Sequence, residues 1–141
     1  MPPPPRSWTV PAGDALLHTL LEHGPYLVVA IDGQYRILSI NRAVQGMPAV
    51  AMIGTSVLDH LPPDRHAMVR EVIDAVLRSG TPGQFETCRQ MADGRIAWWD
   101  TQVLPVPGPA GAAQALLLAT DITARKQAEA ALRSSEARFR A

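Results

Sequence analysis

Residues 114–120, Gln-Ala-Leu-Leu-Leu-Ala-Thr, form a nearly unbroken apolar run that stops at Asp121-Ile122-Thr123 and gives way to Ala124-Arg125-Lys126 and a charged tail. A strand that is apolar on both faces belongs in the interior of a sheet rather than at its edge. The change at residue 121 therefore hands a central strand directly to a helix that runs to the last residue. Two Asp-Gly pairs, Asp32-Gly33 and Asp93-Gly94, sit between apolar stretches and signal tight hairpins, with the first expected to place its positive φ at the Asp-Gly turn. Two hairpins and one central strand that exits into a helix leave few ways to fold.

The remaining segments fill in that outline. Pro2 to Pro5 and Pro11 cannot donate backbone hydrogen bonds, so residues 1–13 read as an extended or disordered lead. Asp14 can cap a short helix carrying Leu16, Leu17, Leu20 and Leu21, which Gly24-Pro25 stops. Residues 26–31 and 35–41 read as the first hairpin. Residues 42–59 are less regular, with Ala43, Val44, Met47, Val50, Met52 and Ile53 suggesting short turns. Pro62-Pro63-Asp64 opens the clearest helix, in which Met68, Val69, Val72, Ile73, Val76 and Leu77 recur at helical spacing and Ser79-Gly80 ends the run. Asp74 lies four residues from both Arg70 and Arg78 on its outer side. Residues 84–90 and 95–106 form the second hairpin, in which the adjacent Trp98 and Trp99 must point to opposite faces. The order is α+β, with helices over one face of a five-stranded antiparallel sheet.

A chain of 141 residues that is 47% apolar supports one domain with a real core. Its net charge is zero, which argues against nucleic acid as a partner, since phosphate binding calls for a basic stripe. No window has the length of apolar sequence a membrane span needs. Cys88 is the lone cysteine, so neither an internal disulfide nor a cysteine zinc site can form. Phosphate-cradling glycine loops, nucleophile elbows and metal-spaced histidine pairs are absent, and the chain is expected not to be an enzyme.

Four phrases in order carry a family resemblance: Asp32-Gly33-Gln34-Tyr35-Arg36-Ile37 followed by Asn41; Ile53-Gly54 followed by Leu61-Pro62-Pro63-Asp64-Arg65; Asp93-Gly94-Arg95-Ile96-Ala97-Trp98; and Asp121-Ile122-Thr123. Together they resemble a bacterial PAS sensory domain over about residues 14–125. The resemblance implies a PAS domain at 14–123 and a linker helix at 124–141 leading to a further domain. Arg133-Ser134-Ser135-Glu136-Ala137-Arg138-Phe139-Arg140 is similar to the start of a second such module. It also implies a cytoplasmic two-component or related signalling protein, with this stretch as its N-terminal sensor.

Candidate site residues follow from these readings. Thr123 is expected to cap the exit helix while the Asp121 carboxylate ties the sheet edge to a nearby donor. The resemblance makes Asp121, Ile122 and Thr123 the relay. Arg125, Ala128, Leu132, Ser135 and Phe139 fall at heptad spacing, so Ala128, Leu132 and Phe139 join Leu16, Leu17, Leu20 and Leu21 as a homodimer surface. A pocket between sheet and helices would be walled by Met52, Ile53, Leu58, Val69, Val72 and Ile73, with Trp98 and Leu117 from the sheet. Such a wall suits a small apolar ligand, and it suits a filled core equally. No cofactor or metal is assigned. His66, on the helix that carries the iron ligand in haem-binding relatives, is the haem candidate, although an exposed first-turn histidine is the preferred reading. Light-driven flavin chemistry is disfavoured because residues 42–61 lack a cysteine, while a flavin stacked on Trp98 or Trp99 stands as an alternative.

Overall fold

The computed structural model describes residues 13–42, 48–91 and 93–140, without the side chains of Asp14, Leu17, His18, Leu21, Ala110, Phe139 and Arg140. The expectations for residues 1–12 and for Ala43, Val44 and Met47 lie outside the described residues. Helix α1 spans Gly13–His23, strand β1 Leu27–Asp32, strand β2 Ile37–Ile40 and the short helix α2 Ala49–Met52. Two 3-10 turns, Val57–His60 and Pro63–Arg65, lead into helix α3, His66–Ser79. Strands β3 (Gly83–Gln90), β4 (Ile96–Pro107) and β5 (Ala113–Asp121) precede the exit helix α4, Thr123–Arg140.

All five strands join one antiparallel sheet in the order β2-β1-β5-β4-β3. The apolar run is therefore central, flanked by β1 and β4. Its side chains alternate: Ala115, Leu117 and Ala119 are buried, whereas Leu116, Leu118 and Thr120 on the other face are half-buried. Register aligns Val29, Leu117 and Val103 in one buried row across three strands. Over this face α3 sets down Val69, Ile73 and Val76, which are almost wholly removed from solvent. Gly83 admits the helix, since a Cβ there would lie 2.9 Å from methyls of both Val72 and Val76. Gly80 ends α3 in the left-handed conformation (φ 73°), and its N–H reaches the Val76 carbonyl at 2.9 Å.

The first hairpin departs from the expected turn. Its positive φ falls on Tyr35 (66°), not at Gly33. The cause is the Asp32 carboxylate, whose Oδ1 accepts from the N–H groups of Gln34 (2.8 Å) and Arg36 (2.9 Å) and winds a wider loop. At the far end, Asn41 acts as a side-chain rung: its Oδ1 accepts from Val28 N–H at 2.8 Å and its Nδ2 donates to the Tyr26 carbonyl at 2.9 Å. Residues 54–57 are stitched alongside the hairpin by Ile37 N–H to Thr55 O, Gly54 N–H to Ile37 O and Val57 N–H to Tyr35 O, each 2.8 Å. These bonds fix the segment that roofs one end of the sheet.

Asp74, which sequence spacing sets near Arg70 and Arg78, accepts a 2.6 Å hydrogen bond from the Tyr35 hydroxyl. This bond, followed by burial, raises the Tyr35 pKa above its ordinary value. A raised phenol pKa means that the folded state favours the protonated form. The contribution is whole below the ordinary tyrosine range near 10 and is lost as pH rises through the raised value. Tyr35→Phe is expected to lower stability by about 1 kcal/mol at neutral pH. In denaturant titrations its deficit relative to the parent should shrink on the alkaline side. A deficit that does not change with pH would contradict the assignment.

Candidate functional site

A cavity of about 90 Å³ opens between the sheet and the roof formed by residues 52–62. Its floor is Leu27 and Val29 of β1, Phe85, Thr87 and Arg89 of β3, Trp99 and Thr101 of β4, and Leu117 and Ala119 of β5. Met52, Val57, His60, Leu61 and Pro62 cover it. The pleat explains the floor: positions 85, 87 and 89 share one face of β3, and 99, 101 and 103 share the same face of β4.

Two of the expected pocket residues, Met52 and Leu117, are on this wall. The others are not. Val69 and Ile73 are fully buried where α3 crosses the sheet, and Val72 is packed beside Gly83, so α3 fills core instead of lining space. Leu58 is buried in that core as well, and Ile53, at the end of α2, is about half exposed. Trp98 points to the opposite face, leaving Trp99 on the wall. Period-2 reading of β4 held this signal: Trp98, Asp100 and Gln102 form the polar set, and Trp99, Thr101 and Val103 the inward one.

The histidines divide similarly. His66 is half-buried in the first turn of α3, with Nε2 3.0 Å from the Leu61 carbonyl, and it is not on the cavity wall. His60 is on the wall, with Nε2 2.9 Å from Thr55 Oγ1. An engineered cavity of roughly 150 Å³ holds benzene, so the space seen here is well below what a haem macrocycle or an isoalloxazine occupies. Among the described residues no cluster of metal-ligating side chains is present.

The exit junction lies at the end of the same strand. Asp121 Oδ1 accepts from Thr123 N–H (2.9 Å) and from the Thr123 hydroxyl (2.6 Å), so the carboxylate caps α4. Thr123 does not cap the helix as expected; its Oγ1 accepts from Trp98 N–H at 2.9 Å. The Trp98 carbonyl in turn accepts from Ile122 N–H at 2.9 Å, and Ile122 itself is buried. Both backbone polar groups of Trp98 are thus bonded to the junction. Its ring, on the face away from the cavity, lies 4.9 Å beneath Lys126 Nζ. Lys126 also pairs with Glu86 Oε1 at 2.9 Å, and Arg125 approaches the other oxygen at 4.0 Å. The Lys126 hydrogen bond holds the Glu86 pKa below its ordinary value.

A family model described as the PAS fold matches residues 21–127, from the end of α1 to the first turn of α4. The chain belongs to the PAS family. Solved structures agree on the fold. The PAS domain of a Colwellia psychrerythraea protein is 24% identical over 77% of this chain and 96% of its own, with a TM-score of 0.61. A sensory box histidine kinase/response regulator from Burkholderia thailandensis is 17% identical over 88% and 97%, with a TM-score of 0.59. The VqmA–ligand–DNA complex of Vibrio cholerae is 17% identical over 74% of this chain and 49% of its own, with a TM-score of 0.62. No curated protein sequence matches the chain.

The surface expected to dimerise is described only in part. Leu20 and Leu132 are each about 60% exposed, Leu16 is 38% exposed and Ala128 is exposed. The side chains of Leu17, Leu21 and Phe139 lie outside the described residues. No described helix is long and apolar enough to cross a membrane.

Thr123→Val keeps the shape at the junction but removes the acceptor for Trp98 N–H. The expected result is a loss of about 1–2 kcal/mol in stability, with faster amide exchange in the first turn of α4. Unchanged exchange there would show that the hydroxyl bond does not hold the helix.

Proposed function

We propose that this PAS chain is a sensory module that binds a small molecule in the cavity and relays its occupancy to an output domain through α4. The observation that carries the reading is the Trp98–Trp99 dipeptide. Trp99 lines the cavity, while the neighbouring residue's N–H and C=O are bonded to Thr123 and Ile122. A displacement of Trp99 by a ligand is transmitted across one peptide unit to the start of the exit helix. The junction is suited to respond in this way, because beyond the buried Ile122 it is polar bonds and the pairing of Lys126 and Arg125 with Glu86 that hold α4 there. Such exposed ion pairs contribute little on their own and reorganise easily.

Kinship supports the reading at the level of family. The similar Burkholderia protein is a sensory box histidine kinase/response regulator, and the similar Vibrio protein, VqmA, was solved in complex with a ligand and DNA. The module is read as acting without catalysis, in a cytoplasmic signalling protein, with a homodimer and a downstream domain as its partners.

A second reading is favoured by the exposed Leu16, Leu20 and Leu132, which leave apolar faces on α1 and α4. In that reading the chain is a dimerisation and relay module whose cavity stays empty. The two separate by experiment. Mass spectrometry after denaturation of natively purified protein is expected to release a stoichiometric small molecule, which Ala119→Leu, by filling the floor, should abolish. Release of nothing from the parent chain, with concentration-dependent dimers intact, would select the second reading.

A further inference from the structure

The cavity is apolar in area but not in its polar requirements. Thr87 and Thr101 are 4% and 5% exposed and line it, and their hydroxyls, which make no hydrogen bond to a described residue, keep surface open to the cavity. Hydroxyls that face a cavity are ordinarily met by ordered water or by the polar atoms of a ligand. Two positions along the same face of β3 from Thr87 stands Arg89. Its guanidinium donates one bond, from Nη2 to the His60 carbonyl at 2.9 Å, and no described carboxylate pairs with it. A guanidinium presents five N–H donors in a planar fork, so most of Arg89's capacity stays open on the wall.

Resting on the sensor reading of this cavity, we propose that its ligand is a small monocarboxylic acid with a short apolar body. The carboxylate lies in the fork of Arg89 within reach of the Thr87 hydroxyl, and the body lies among Leu27, Val29, Phe85 and Leu117. The charge count sets the class. Arg89 is the only Arg or Lys among the described residues of the wall, so one negative charge is matched and a second would be buried without a partner. A cation is repelled, and a plain hydrocarbon leaves the fork and both hydroxyls unmet. Scaled from the cavity that holds benzene's six carbons, the enclosed space takes an apolar body of about four carbons, and the carboxylate lies outside that space, at the half-buried Arg89.

The test uses the 141-residue chain with pentanoate and its neutral isostere pentanamide, read by tryptophan fluorescence and titration calorimetry. Pentanoate is expected to bind saturably, and pentanamide roughly 10- to 100-fold more weakly, the worth of a charge-assisted bond. Arg89→Gln should weaken pentanoate to a similar degree, and Thr87→Val by less. Arg89→Lys, which keeps the charge and loses the fork, should fall between. The acid–amide comparison is made on the unaltered chain, so it decides the matter even if a variant fails to fold. Equal binding of acid and amide, or unchanged affinity in Arg89→Gln, overturns the acid assignment while leaving the cavity a sensor site. Binding of neither probe overturns it too, and the released-ligand experiment then judges the sensor reading separately.

Discussion

Trp98 is held at both backbone polar groups by residues that begin the exit helix, and the rest of the molecule depends on that double bond pattern. Were Trp98 N–H to pair only within the sheet, α4 would be an appendage joined by a flexible corner. Instead Thr123 and Ile122 extend the β4–β5 ladder by two bonds of 2.9 Å, and the helix begins while still part of the sheet. Asp121 makes this possible by satisfying the first helical N–H itself, which frees the Thr123 hydroxyl to accept from the strand. The work of the cap is thus divided between two side chains. On the outer face, Lys126 lies between the Trp98 ring and Glu86 and sets the direction in which the helix leaves.

The cavity arises from a different arrangement. Helix α3 fills one end of the inner face so completely that Val69 and Ile73 show no exposed surface. The other end is covered only by the 52–62 segment, whose stitches to the first hairpin hold it above the sheet without pressing side chains into every gap. A roof carried on backbone hydrogen bonds leaves space that a helix packed ridge into groove would close. Thr87, Thr101 and Arg89 line that space with polar groups, a pattern poorly suited to a core packed for stability alone.

Much of the fold was legible in the sequence because its signals are local. The apolar run at 114–120 is central, the second Asp-Gly pair turns a hairpin, and the helical spacing from Met68 to Leu77 marks the face of α3 that packs on the sheet. The departures have physical causes that lie beyond local pattern. Asp32 can bond two N–H groups at once, which moves the positive φ from Gly33 to Tyr35. The apolar periodicity of α3 identifies a buried face but does not distinguish packed core from cavity wall, so Val69, Val72 and Ile73 were legible as buried and not as filled. Trp98 and Trp99 were legible as opposed, and the polar alternation of Asp100 and Gln102 would have told which one faces inward. Arg89 carried no sequence signal at all, since a lone arginine in a strand reads as surface until the neighbouring elements are placed.

The central claim is that the state of the cavity is felt at the first turn of α4 through the Trp98–Trp99 peptide. Amide exchange at Trp98 and residues 122–126, measured with the cavity occupied and with it empty, tests this most directly. The account predicts a change in protection at these amides on occupancy, reduced or lost in Thr123→Val although the cavity still fills. Protection that rises around the cavity, at Trp99 and Thr101, and leaves residues 122–126 untouched would contradict it.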